Sequence, residues 1–228
     1  MPAEIEIKLR ILNAKQFLRT LRKLGAKPVS PRVHELNLLF DTPDGGLAKH
    51  GQLLRIRTES PADLKFPTGA SRPTNKKPSG KQAIAKRNSE RYLLTFKSPP
   101  EQLAIGPAAA PADRRHKVRE ELETVLTDAG ALQKIFEGLG LRGWFRYEKY
   151  RTPFKLPARY KWAKDLLIDF DETPIGIYVE LEGPSQAIDQ AATLLGFSPR
   201  DFITKNYLVL YLDTCKRQGL QPSHMLFS

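Results

Sequence analysis

The sequence predicts an α+β fold in which an antiparallel sheet closes, or curves strongly, around a polar interior while helices pack on its outer surface. Short segments that alternate charged and aliphatic residues recur along most of the chain and read as strands. Their charged positions come as doublets or triplets of both signs at i and i+2, in six of the segments. Four other segments carry apolar residues at helical spacing, bounded by capping residues.

The first strand is Glu4-Ile5-Glu6-Ile7-Lys8, near the start of the chain. Ile5, Ile7 and Leu9 require a dry core, and Glu4, Glu6 and Lys8 then share the opposite face. A helix follows over "NAKQFLRTLRKLGA", with Asn13 as its cap, Phe17, Leu18, Leu21 and Leu24 on one stripe, and Gly25 at its end. "LLRIR" sets Leu54 and Ile56 against Arg55 and Arg57, and "LLTFK" sets Leu94 and Phe96 against Thr95 and Lys97. "VREELE" places Arg119, Glu121 and Glu123 on one face. The second helix, "TDAGALQKIFEGLG", stacks Leu132, Ile135, Phe136 and Leu139. "RYEKYR" sets Lys149 and Arg151 two apart, and "LLIDFDE" opposes Ile168 and Phe170 to Asp169 and Asp171. "YVELEG" opposes Val179 and Leu181 to Glu180 and Glu182. The third helix starts at Ser185 and stacks Ile188, Ala192 and Leu195. A long last helix is expected from Ser198, its cap, through Pro199 and Asp201 to the end of "LYLDTCKR". All four apolar stripes are expected to be core.

One strand with a polar face would be an ordinary half-exposed strand. Six with paired carboxylates and cations imply that these faces converge on a lumen, because a small barrel with a charged interior is a cavity rather than a packed core.

The 228 residues suit one large domain or two small ones. With 40% hydrophobic and 27% charged residues the composition is that of a globular protein. No apolar run approaches the roughly 20 residues that cross a bilayer, so no membrane association is expected. No leader pattern opens the chain, and the single Cys215 excludes an internal disulfide and is expected to be inert. The expected compartment is the cytoplasm. The formal net charge of +12 invites a polyanion partner, but much of the excess lies in a Pro-, Gly- and Lys-rich insertion at about 58–91. That stretch holds eight Lys or Arg against three acids and reads as a flexible, solvated loop. It lacks the interleaved aromatics of a single-strand nucleic-acid surface, which argues against a nucleic-acid partner. A second loop, rich in Pro and Ala, is expected at about 98–116. A P-loop, a Gly-x-Gly-x-x-Gly turn, a zinc ligand set and a Gly-x-Ser-x-Gly elbow are all absent.

A lumen with several carboxylates and several fixed cations suits a ligand that is highly anionic and travels with metal. Mg²⁺ or Mn²⁺ binds one or two carboxylates together with phosphate oxygens and water. Residues i and i+2 of a strand lie about 6–7 Å apart, so Glu4 and Glu6 could face one metal or two. Alternating Arg55 and Arg57 offer planar forks to phosphate oxygens.

These residues resemble the CYTH superfamily, or triphosphate tunnel metalloenzymes, which includes class IV adenylate cyclases, thiamine triphosphatases and inorganic triphosphatases. "EIEIK" is similar to the family's Glu-x-Glu-x-Lys signature, and the likeness continues through "LFDTPDGGLAKHGQLLRIR", "LLTFK", "VREELE", "LLIDFDETPIGIYVELEG" and "TKNYLVLY". It implies one domain over residues 1–228, built as a closed eight-stranded antiparallel tunnel. Glu4, Glu6, Glu121, Glu123, Asp169, Glu180 and Glu182 would bind one or two Mg²⁺ or Mn²⁺ ions. Lys8, Arg55, Arg57, Lys97, Arg119 and Lys205 would grip the triphosphate, with Lys149 and Arg151 as further candidates. Glu4, Glu6, Lys8, Lys97, Asp169 and Lys205 form the implied catalytic set. The implied reaction is hydrolysis of tripolyphosphate, thiamine triphosphate or a nucleoside triphosphate. Cyclisation of ATP is the alternative, followed by non-catalytic binding of polyphosphate or RNA ends. A homodimer is compatible with the sequence.

Overall fold

The computed structural model describes residues 3–62, 90–99 and 115–228. Its strands are β1 (Ala3–Ile11), β2 (Lys27–Pro28), β3 (Val33–Asp41), β4 (Leu53–Pro61), β5 (Arg91–Ser98), β6 (Lys117–Leu126), β7 (Arg142–Lys155), β8 (Leu167–Thr173) and β9 (Gly176–Glu182). Eight of them form a closed antiparallel ring in the order β7-β3-β4-β5-β6-β1-β9-β8, sealed by a β7–β8 pairing. The two-residue β2 lies outside the ring, against the end of β7. The helices are α1 (Ala14–Leu24), the single turn α2 (Gly46–Lys49), α3 (Ala129–Gly138), α4 (Ser185–Leu194) and α5 (Tyr207–Gln218).

Alternation along each strand separates two interiors. Ile7 and Leu9 point outward from the barrel and are fully buried beneath α1 and α4, with Ile168, Phe170, Val179 and Leu181 from β8 and β9. Phe17 and Leu21 of α1 and Ile188, Ala191 and Ala192 of α4 complete this layer. Burying each large aliphatic side chain stabilises the fold by about 1.5–3 kcal/mol, so this layer anchors the register that turns Glu4, Glu6 and Lys8 inward. Asn13 caps α1 as its side chain accepts from Gln16 N, and Gly25 ends the helix in the left-handed conformation. At the close of β9, a Cβ on Gly183 would stand 2.7 Å from the Asp165 carbonyl, so the strand leaves the barrel through a position only glycine fills.

The long C-terminal helix expected from Ser198 is two elements. Ser198 and Asp201 form a capping box around one 3₁₀ turn, Pro199–Asp201. The chain then runs extended, and Ile203 exchanges backbone hydrogen bonds of 2.8 and 2.9 Å with Lys8. Asn206 starts α5 anew, its side chain accepting from Val209 N. Ile203 thus continues the barrel wall beside β1 where β6 begins. A C-terminal segment does the same beside β7, where Met225 bonds to the backbone of Arg146 and Glu148. Leu39, Phe145, Tyr147, Tyr178, Tyr207 and Met225 pack together at this end, so α5 covers one end of the barrel with an aromatic cluster.

The α3 stripe also departs from expectation. Only Phe136 is buried, edge-on against Phe40, while Ile135 is 56% and Leu139 73% exposed. The helix touches the barrel along one edge, too narrow a contact for the whole stripe. The basic insertion starts later and ends earlier than expected: β4 continues to Pro61, and Glu59 pairs with Arg91. The rest of that segment, 63–89, lies outside the described residues, as do residues 100–114 of the Pro/Ala-rich loop. Ser98 belongs to β5, and His116 is buried ahead of β6. Cys215 is buried on α5.

Candidate active site

Inward-facing residues of the ring line a lumen of about 260 Å³ with seven carboxylates and seven lysines or arginines. Register explains the balance, because directly opposed residues of antiparallel strands share a face. Lys8 of β1 stands opposite Glu180 of β9, and Glu6 opposite both Lys117 of β6 and Glu182 of β9. Lys97 of β5 stands opposite Glu121 of β6. Lys8 Nζ lies 3.1 Å from Glu6 and 3.2 Å from Glu180, and Lys117 also pairs with Glu6. Lys97 donates to both Glu4 oxygens at 2.7 and 2.6 Å and lies 2.9 Å from Glu121. Deeper, Asp171 collects Lys149 (2.8 Å), both nitrogens of the Arg151 fork (2.7 and 2.6 Å) and the Tyr207 hydroxyl (2.7 Å). Arg55 is held by donation to the Tyr147 hydroxyl and Thr95, and Arg57 by Asn37, Glu35 and Glu59.

The carboxylates divide electrostatically. Burial opposes ionisation of Glu6, but Lys8, Lys117 and Lys97 outweigh it and hold its carboxyl at about 2. Glu180, beside Arg151 and Lys8, and Glu35, beside Arg57 and Lys149, are likewise held far down despite burial. Asp169 and Glu182 go the other way. Burial first, then Asp171 and Glu180, push Asp169 up to about 6 against the pull of Arg151. Burial, then Glu4, Asp169 and Glu180, push Glu182 up to about 7. Glu4 is also raised, by burial and by Glu6 and Glu121, although Lys97 opposes this. One side of the lumen therefore gathers carboxylates that repel one another.

Residues 2–201 match the CYTH domain family model. The chain belongs to the CYTH family. That family acts on triphosphates and is generally dependent on divalent metal. A Methanocaldococcus jannaschii protein named provisionally as an adenylate cyclase is 22% identical over 91% of this chain and 97% of its own length. Two solved structures share the fold. PH1819 of Pyrococcus horikoshii OT3 has a TM-score of 0.61 and 19% identity, over 92% of this chain and 99% of that one. A Vibrio parahaemolyticus protein, also provisionally named an adenylate cyclase, has a TM-score of 0.59 and 17% identity, over 91% and 96%. No described helix is long and apolar enough to cross a membrane.

The donor chemistry of this CYTH lumen fits a divalent cation. Asp169 Oδ1 is buried without a hydrogen-bond partner, and its neighbours Glu4, Glu180 and Glu182 offer only hard oxygens. Among the described residues no three such donors already stand in a ligating arrangement, because Glu4 is turned onto Lys97 and Glu180 onto Arg151 and Lys8. Arg55 Nε is a buried donor without a partner, which suits a phosphate oxygen.

All seven sequence-selected carboxylates line the lumen, with Lys8, Arg55, Arg57, Lys97, Lys149 and Arg151. Arg119 and Lys205 do not. Arg119 reaches the Gly51 carbonyl at the rim. Lys205 follows the bridge at Ile203 and pairs with Asp213 at 2.7 Å on the outer surface, with its side chain 55% exposed. Lys117 lines the lumen and was missed, although it shares the parity of Arg119, Glu121 and Glu123. Glu35 and Asn37 of β3 were passed over because the strand also carries Leu36, Leu38, Leu39 and Phe40, which hide the alternation. Tyr207 was missed because it enters the lumen from a helix end, its ring 5.3 Å from Lys8 Nζ and 5.0 Å from Lys149 Nζ.

Proposed function

We propose that the lumen is the active site of a divalent-metal-dependent triphosphatase acting on tripolyphosphate or a small organic triphosphate. The observation that carries this reading is the juxtaposition of the mutually repelling Glu4, Asp169, Glu180 and Glu182 with seven fixed cations in one cavity. The four carboxylates would hold Mg²⁺ or Mn²⁺, which when bound neutralises phosphate charge and acidifies water. Arg55 and Arg57 offer N–H groups to the phosphate chain in the fork geometry that suits its oxygens. Lys8, Lys97 and Lys117, now paired with Glu4, Glu6 and Glu180, exchange those partners for phosphoryl oxygens and carry the negative charge that grows on them. Asp171 and Tyr207 fix Lys149 and Arg151 before substrate arrives, so this side of the lumen needs no reorganisation.

The lining favours hydrolysis over cyclisation. Among the described residues its apolar members are Leu53 and Leu167, with Tyr147 and Tyr207 tied up in hydrogen bonds, and these form no slot for a purine. The names of the M. jannaschii and V. parahaemolyticus relatives support ATP cyclisation as the second reading. Incubation with tripolyphosphate and, separately, ATP, with Mg²⁺ or Mn²⁺ and chromatographic product analysis, separates them. Orthophosphate from tripolyphosphate without cyclic AMP is the expected result. Cyclic AMP with pyrophosphate would establish the second reading, and no product with either metal would reject both.

A further inference from the structure

Two clefts continue from the lumen, one at the first turn of α5 and one along the helix to its last turn. The nearer, of about 440 Å³, lies between the start of β6 and residues 204–209, and shares Lys117 and Asn206 with the lumen. The outer, of about 570 Å³, lies between β1 and α5 and shares Thr204 and Lys205 with the nearer one. Their electrostatics differ from the lumen's. The lumen balances seven cations with seven acids, whereas the two clefts together carry Lys117, Arg119, Lys205, Arg10, Lys216 and Arg217 against Asp213 alone. Donation from Lys205, with the nearby charges of Lys205, Arg217 and Lys216, holds the Asp213 carboxyl below its ordinary range. Arg10 and Lys216 form no ion pair among the described residues. Lys216 and Arg217 sit in the last turn of α5, where cations complement the helix dipole. That does not account for Arg10, which comes from β1, or Lys205, which comes from the bridging segment.

A groove of six cations against one carboxylate suits a phosphate chain and has no need of metal. Among the described residues its Phe, Tyr and Trp members are the buried Tyr178 and the half-buried Phe202, which offer no run of exposed rings on which nucleic-acid bases stack. We propose that this groove binds the distal part of a linear inorganic polyphosphate whose end occupies the lumen. The proposal deepens the triphosphate reading of the lumen, but its test does not require turnover.

Calorimetric titration of the full chain in EDTA compares tripolyphosphate with long-chain polyphosphate, for the native protein and for an Arg10→Glu/Lys216→Glu variant. The long chain is expected to bind more tightly than tripolyphosphate to the native protein. The variant should lose about tenfold in long-chain affinity, with unchanged tripolyphosphate affinity and unchanged metal-dependent turnover of tripolyphosphate. Equal affinity for the two chain lengths, or a variant that retains the long-chain advantage, would overturn the proposal. So would a single-stranded RNA that outcompetes polyphosphate at equal charge, which would assign the groove to nucleic acid. Long-chain binding that depends on Arg10 and Lys216 without any turnover would reject the hydrolase reading and leave the groove intact.

Discussion

Glu6 and Glu182 face each other across the β1–β9 ladder, yet ionisation of Glu6 supports the fold while ionisation of Glu182 opposes it. Glu6 is the counter-charge of buried Lys8 and half-buried Lys117, so Glu6→Gln leaves two ammoniums short of a partner. It should cost about 3 kcal/mol in urea unfolding and abolish metal-dependent turnover. Glu182 is ionised at a cost, since its folded pKa of about 7 lies above the ordinary 4.5. Its contribution to stability is fully present below pH 4.5 and is lost as pH rises through 7. Glu182→Gln should therefore stabilise the metal-free protein near pH 8 by about 1–2 kcal/mol, with little effect near pH 5. Destabilisation near pH 8 would contradict the repulsive cluster. At this scale, parity alone revealed most of the lumen, because alternation decides which face a residue takes. Lys205 came from the family likeness and not from parity, and its surface position depends on a backbone bridge that no local pattern encodes. Parity failed for Glu35, whose strand is apolar on both faces near its end.

Helices differ in how much of their apolar stripe the barrel accepts. Phe136 is the one residue α3 buries, so Phe136→Ala should cost about 3 kcal/mol. Leu139→Ala, at a position 73% exposed, should stay within about 0.5 kcal/mol of the native protein in thermal unfolding. Equal losses would mean that the α3 stripe is covered as the periodicity alone suggests. The caps of α1 were legible because Asn13 and Gly25 act within one turn. The division of the last helix was not, because residues 198–218 read as helical until Ile203 is claimed by Lys8, nearly the whole chain away. Nonlocal ladder bonds override helix propensity here, and they move Lys205 from the lumen to the surface.

Closure of the ring is a property of the whole molecule. The β1–β6, β1–β9 and β3–β7 pairings join strands far apart in sequence, and only the accumulation of charged faces, with the family likeness, pointed to a tunnel. Closure also couples metal to protons. In the proposed site, metal would meet carboxylates that hold protons up to about 6 at Asp169 and about 7 at Glu182, and its binding would release those protons. Every lumen cation that pairs with Glu4, Glu6, Asp171 or Glu180 keeps its partner without metal, so EDTA should leave circular dichroism unchanged while removing turnover. Adding Mn²⁺ should then raise the melting temperature far more near pH 8 than near pH 5.5. Titration of the two groups weakens apparent affinity at the lower pH by about 100-fold, or about 3 kcal/mol. In an Asp169→Asn/Glu182→Gln variant the pH dependence of the shift should vanish together with most of its size. A Mn²⁺ shift of equal size at both pH values in the native protein would place the metal away from these carboxylates and reject the lumen as its site.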